Sequence, residues 1–145
     1  MKHSNEIIIN LSRKRVLELF DSTENLYKWQ KSLKNFEHLS GTPGEVGAKS
    51  KLTYKQGKRE FSLIETIKVK NLPEEFSGTY ETKGIYNDIK NYFVEIDDNT
   101  TKWISESEFK FAGFMKIMNF FMSDSFKKES MKYLINFKKF AEATK

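Results

Sequence analysis

One acidic residue stands in apolar company. In the run from Phe61 to Val69 the odd positions are Phe61, Leu63, Glu65, Ile67 and Val69. Strand alternation therefore points the Glu65 carboxyl the same way as its apolar neighbours. A carboxyl in such surroundings has a raised pKa, and it can accept from a ligand or act as an acid or base. It is the leading catalytic candidate, with Asp88 behind it; the plainer reading is a structural carboxyl satisfied by Tyr80 or water. Ser105, Ser107 and Tyr92 could orient a ligand hydroxyl or carbonyl, although strand serines also serve as small fillers. Tyr54, Tyr80, Tyr92, Trp103 and Trp29 could form an aromatic box, and would equally make a core. His38 is a possible proton shuttle whose facing the sequence does not assign.

Other chemistry is excluded by what is missing. The chain has no cysteine, which removes disulfides, thiolate metal sites and cysteine nucleophiles. Only His3 and His38 are available as histidines, too few for a histidine-rich metal centre or a Ser-His-Asp arrangement. No metal and no cofactor are expected. The glycines at Gly41, Gly44 and Gly47 are not a phosphate cradle, since no Gly-Lys-Ser/Thr follows and a strand rather than a helix comes next.

The net charge of +5 raises nucleic acid as a partner,. Of the 25 basic residues, however, only Arg13, Arg15 and Arg59 are arginine, the residue that groove readers and phosphate clamps favour. The lysines are interleaved with Glu and Asp, as on a solvated surface, and no nucleic-acid partner is expected. The first residues carry no apolar segment, and no run approaches the ~18 apolar residues of a membrane span. The expectation is a cytoplasmic protein without stable membrane insertion, a monomer or weak dimer. Its 145 residues suit one domain over 1–145 with a real core,.

The elements that must position these residues follow from period and punctuation. Glu6–Leu11 reads as a short strand. Ser12 caps a helix from Arg13 to Phe20, and Asp21-Ser22-Thr23-Glu24 opens a second one through Leu26, Trp29 and Leu33. Six antiparallel strands follow: Phe36–Leu39, Lys49–Tyr54, Glu60–Lys70, Phe76–Thr82, Tyr86–Ile96 and Lys102–Phe111. A four-residue turn at 97–100 pairs Glu95 with Lys102, Val94 with Trp103 and Tyr92 with Ser105. A turn at 71–74 pairs Val69 with Phe76, Ile67 with Gly78 and Glu65 with Tyr80. After Gly113 the period becomes helical. The last helix, Phe126 to about Ala143, carries Phe126, Ser130, Tyr133, Leu134, Phe137, Phe140 and Ala141 on one face.

The pattern Ile9-Asn10-Leu11-Ser12, Val16, Leu19-Phe20-Asp21, then Trp29, then Gly41, Gly44 and Gly47 resembles the START/SRPBCC superfamily. The closing Gly113-Phe114-Met115 and the helix end Phe137-Lys138-Lys139-Phe140 are similar to it as well. The resemblance covers nearly the whole chain. It implies an α+β helix-grip fold: a seven-stranded curved antiparallel sheet around a long C-terminal helix, two short helices between strands 1 and 2, and a cavity between sheet and helix. That superfamily includes polyketide cyclase/dehydrase and lipid-transport proteins and pollen allergens, so it does not imply one activity.

If the apolar set faces the helix, the inner face carries Ser50, Leu52, Tyr54, Phe61, Leu63, Glu65, Ile67, Val69, Phe76, Gly78 and Tyr80. It continues with Tyr86, Asp88, Tyr92, Val94, Ile96, Trp103, Ser105, Ser107, Phe109 and Phe111. The expected ligand-binding set is Trp29, Leu52, Tyr54, Phe61, Leu63, Glu65, Tyr80, Tyr92, Trp103, Ser105, Met118, Phe121, Met122, Phe126 and Ser130. The Met- and Phe-rich stretch Phe114–Met122 reads as a gate, as packing under the sheet edge, or as a membrane contact; movement of it or of the Gly41–Gly47 loop would admit a ligand. The leading expectation is a binding protein for a small hydrophobic or aromatic molecule. A cyclase or dehydratase using Glu65 and an interaction module of chaperone-assisting type are the alternatives.

Overall fold

The computed structural model describes residues 2–113 and 123–144. Strand β1 (Lys2–Ile9) leads into helices α1 (Arg13–Phe20) and α2 (Thr23–Trp29). Strands β2 (Leu33–Ser40), β3 (Lys49–Gln56), β4 (Arg59–Asn71), β5 (Glu75–Thr82), β6 (Ile85–Asp97) and β7 (Thr100–Phe111) follow, and helix α3 (Ser123–Thr144) ends the chain. The strands form one seven-stranded sheet in the order β1-β7-β6-β5-β4-β3-β2, and every neighbouring pair is antiparallel. This is the helix-grip arrangement, with the two short helices ahead of β2.

The short helices start where hydroxyls cap them. Ser12 Oγ accepts from the Arg15 N–H at 3.2 Å, and Ser22 Oγ accepts from the Asn25 N–H at the same distance. Helix α2 ends earlier than its apolar period predicts. Gln30 donates its N–H to the Leu26 carbonyl at 2.9 Å, and Leu33 opens β2 instead of closing the helix.

Two registers depend on bulges. In β4–β5 a shift between Ile67 and Val69 pairs Val69 with Ser77 and Lys70 with Phe76, whereas Ile67–Gly78 and Glu65–Tyr80 stand as expected. In β6–β7 the turn is tighter than four residues. Asp97 pairs with Thr100, a shift follows between Glu95 and Asp97, and Phe93 rather than Val94 then lies opposite Trp103. A one-residue slip exchanges the two faces of a strand. The inner face of β6 is therefore Ile85, Asn87, Ile89, Asn91 and Phe93, and Tyr86, Asp88, Tyr92, Val94 and Ile96 turn to the convex side. Val69, Val94 and Ile96 are 36 %, 41 % and 50 % exposed, against 2 % for Phe93.

Helix α3 is tied along β1 at several levels. The Asn5 side-chain amide donates to the Lys127 carbonyl at 3.2 Å, His3 Nε2 meets Ser130 Oγ at 3.0 Å, and the Asn10 N–H reaches Glu142 Oε2 at 2.8 Å. Its apolar face is the one its period predicts: Leu134, Phe137 and Ala141 are buried. They join Ile9, Val16, Leu17, Leu19, Trp29, Phe93 and Trp103 in one core cluster. A second, smaller cluster of Leu33, Leu52 and Tyr54 lies toward β2 and β3.

Candidate functional site

The two clusters do not meet across the whole concave face. A cavity of about 490 Å³ lies there, walled by members of both, and it falls in the size range of small-molecule pockets. The first cluster contributes Phe20, Trp29, Trp103 and Leu134; the second contributes Leu52, Tyr54, Phe36, Phe61 and Leu63. Packed rings fill the first end. Phe20 packs against Trp29, Phe93, Trp103 and Phe137 with centroids 5.1 to 6.3 Å apart.

Strand register sets the cavity floor as rows of side chains. One row runs His38–Ser50–Glu65–Tyr80–Asn87–Phe109 across β2, β3, β4, β5, β6 and β7, and all six residues line the cavity. The neighbouring rows supply Leu52 and Leu63 on one side and Ile67 and Ile89 on the other. A polar strip thus crosses an apolar floor.

Within that strip the Tyr80 hydroxyl donates to Glu65 Oε2 at 2.9 Å. Burial pushes the Glu65 carboxyl above its ordinary pKa, and the Tyr80 bond offsets part of that rise. Burial, with the Glu65 charge behind it, holds the Tyr80 hydroxyl well above the usual phenol range. The Tyr54 hydroxyl is raised for the same first reason, and it donates to Gln30 Oε1 at 2.7 Å at the edge of the site. His38 Nε2 lies 2.8 Å from the Gly41 carbonyl. The Asn91 side-chain oxygen is occupied by the Trp103 indole N–H at 2.9 Å. Among the described residues, the Asn87 side-chain oxygen and the Trp29 indole N–H are buried without a partner.

The opposite wall is α3, through Phe126, Glu129, Ser130, Tyr133 and Leu134. Phe126 stacks on Phe109 with centroids 4.7 Å apart. At the rim, Asp21, Ser22 and Thr23 of the α1–α2 elbow face Pro43 and Gly44 of the glycine loop. Lys70 spans that gap, donating to the Gly44 carbonyl at 2.8 Å and lying 3.7 Å from Asp21 Oδ2.

Eleven of the expected binding residues line the cavity together: Trp29, Leu52, Tyr54, Phe61, Leu63, Glu65, Tyr80, Trp103, Ser105, Phe126 and Ser130. Tyr92 does not, because the β6 register turns it to the convex face beside Ile104 of β7. Met118, Phe121 and Met122, with the rest of the Phe114–Met122 gate, lie outside the described residues. The sequence reading turns the other face of β6 inward and so leaves out Asn87, Ile89 and Asn91, which line the cavity, although Lys90 stands in the same alternation as Tyr92 and marks that side as the wet one. Gln30, Phe36 and His38 had no usable signal, since their facing depends on where α2 stops. Among the described residues no three His, Asp or Glu side chains gather as metal ligands would, and no helix is long and apolar enough to cross a membrane.

No family model matches the sequence, and no curated protein matches it. Solved structures do match in fold. The Zhui aromatase/cyclase from Streptomyces sp. R1128 superposes with a TM-score of 0.81 at 10 % identity, over 98 % of this chain and 93 % of that one. Ara h 8.0201 gives 0.78 at 12 % identity, over 99 % and 98 %. Norcoclaurine synthase from Thalictrum flavum, in complex with dopamine and hydroxybenzaldehyde, gives 0.76 at 13 % identity, over 100 % and 88 %. These neighbours are of the Bet v 1-like and SRPBCC kind, and at such identities they establish the shared fold.

Proposed function

We propose that this chain binds a small hydrophobic or aromatic molecule between the sheet and the C-terminal helix, sequestering or carrying it. The observation that supports this most is the cavity of about 490 Å³ left between two core clusters, where close packing would otherwise be expected. Its wall is mostly aliphatic and aromatic, interrupted by a few polar groups that can fix orientation. Burying ~300 Å² of apolar ligand surface would yield ~7 kcal/mol before the costs of association. A structural neighbour holds two aromatic compounds, which agrees with a ligand of that size and character.

The test is occupancy. Native mass spectrometry of the purified protein, followed by denaturing extraction, should reveal a co-purifying apolar compound. The neutral fluorophore N-phenyl-1-naphthylamine should bind with enhanced emission, and Leu63→Trp, which fills the cavity floor, should weaken that binding by at least tenfold while the protein still melts cooperatively. Equal binding by the folded Leu63→Trp variant would remove the reading.

A second reading, a cyclase- or dehydratase-type enzyme, is favoured by the raised pKa of Glu65 and its bond to Tyr80, the environment of a working acid or base. It differs in one outcome. Glu65→Gln would abolish turnover of an aromatic or polyketide-like substrate and leave its binding intact. A ligand-sized void counts against the interaction-module alternative, which needs a docking surface and no cavity.

A further inference from the structure

We propose that Ser105 and Ser107 together hold the carbonyl oxygen of a neutral ligand whose body is apolar. This rests on the reading that the cavity binds a small hydrophobic molecule, and it adds the group that molecule must carry and the strand that reads it.

The inward positions of β7 run Trp103, Ser105, Ser107, Phe109, and all four line the cavity. Two small hydroxyl residues between two large rings leave a notch in the wall. Ser105 and Ser107 are only 6 % and 4 % exposed, and neither hydroxyl makes a hydrogen bond among the described residues. Neither oxygen is sealed off as the Asn87 oxygen is. The surface they keep opens on the cavity.

Each of these hydroxyls carries a proton that needs an acceptor, and neither finds one in its surroundings. Strand β7 lies between β1 and β6, so the backbone carbonyls on both sides are spent on the ladder. Opposite Ser105 on β6 stands Asn91, whose oxygen already accepts from the Trp103 indole; opposite Ser107 stands Ile89. On β1 the facing side chains are Asn5 and His3, and both turn to the helix. Asn5 donates to the Lys127 carbonyl and His3 meets Ser130. Ser50 lines the cavity unbonded as well, but it stands opposite Glu65, with a carboxyl acceptor on the next strand. An unmade hydrogen bond in so dry a place costs free energy that a ligand acceptor recovers.

One carbonyl oxygen suits the pair, because it has two lone pairs and brings no proton of its own. Cα atoms two positions apart on a strand are ~7 Å from each other. Hydroxyls that each lean inward by about 1 Å can both reach ~2.8 Å from an oxygen between them. A ligand hydroxyl would accept too, but it would leave another proton to place. A carboxylate would be buried without compensation, since among the described residues lining the cavity there is no lysine or arginine,.

The experiment is calorimetric titration with 2-acetylnaphthalene, with 2-isopropenylnaphthalene, which replaces the carbonyl oxygen by a methylene of similar shape, and with 2-naphthoate. The proteins are the native chain and the double variant Ser105→Ala/Ser107→Ala. The ratio of ketone to alkene affinity should fall about tenfold in the variant, the sum of two modest hydrogen bonds. Alkene affinity should not fall, and the melting temperature should hold, because the lost hydroxyls have no partner in the fold. The infrared carbonyl stretch of the bound ketone should lie at lower frequency in the native protein than in the variant, a shift that cavity shape alone would not produce. An equal ratio and an equal stretch in the two proteins would overturn this inference and leave the cavity-binding proposal standing. Naphthoate binding the native protein as tightly as the ketone would do the same, as would binding of N-phenyl-1-naphthylamine with none of the three naphthalenes. Failure of all three and of N-phenyl-1-naphthylamine would overturn both.

Discussion

Glu65 is the residue where stability and chemistry are most directly in conflict. In the unfolded chain its carboxyl ionises near 4.5, and in the folded protein burial holds the proton to higher pH. The native state then binds more protons than the unfolded state across that interval, so stability falls as pH rises through it. Glu65→Gln removes the ionisation and keeps an oxygen for the Tyr80 hydroxyl. It should be more stable than the native sequence at pH 7, with the difference closing as the pH is brought to 4.5 and below; urea midpoints at pH 7 and pH 4 measure this. A Gln variant less stable at pH 7 would mean that the Tyr80 bond, not burial, governs the carboxyl. A group that weakens the fold in the working pH range is the sort retained for recognition or catalysis, which is why both functional readings pass through it.

At the scale of elements, bulges decide which residues reach the cavity. Gly78 shows how tightly this is set: a Cβ there would stand 2.8 Å from the Thr66 carbonyl oxygen, backbone that cannot swing aside. Gly78→Ala should cost ~1–3 kcal/mol by forcing β4 and β5 apart next to Glu65 and Tyr80, readable as a lower melting temperature together with weaker probe binding. Retention of both would show that the sheet yields there at little cost. The same strands mark the limit of what sequence can tell. Alternation placed Leu63, Glu65 and Ile67 on one face, and Tyr80 opposite Glu65, because the bulge beyond Ile67 absorbs the extra residue before that stretch is reached. In β6 apolar residues occur on both faces, so hydrophobicity alone does not choose, and the choice passes to the turn. The Asp97–Thr100 closure with its shift beyond Glu95 is a backbone arrangement that turn composition only weakly encodes. The strands, their order and the covering helix were legible from period and punctuation. The inner face of β6, and with it Asn87, was not.

For the molecule as a whole, a core divided in two raises the question of whether it melts as one. Phe137 is fully buried on α3, and its ring lies 5.2 Å from Trp29, 5.5 Å from Phe20 and 5.5 Å from Trp103 by centroid. It fastens the helix to the sheet at the filled end of the concave face, so it bears on the cavity without lining it. Phe137→Ala should cost ~3–5 kcal/mol, the usual range for deleting a buried ring. The smaller cluster around Leu33, Leu52 and Tyr54 contains no α3 residue, yet it sits on β2 and β3 of the same continuous sheet. Hydrogen-bonded strands transmit the loss across the sheet, so the variant should unfold in one transition at a lower urea midpoint with an unchanged slope. Two transitions, or a reduced slope, would show instead that the β2–β3 end folds independently and that the cavity divides two cooperative units. A ligand bound between the clusters would then act by joining them. It would raise stability by ~2.7 kcal/mol at a hundredfold excess over its dissociation constant, and in Phe137→Ala it would merge the two transitions into one.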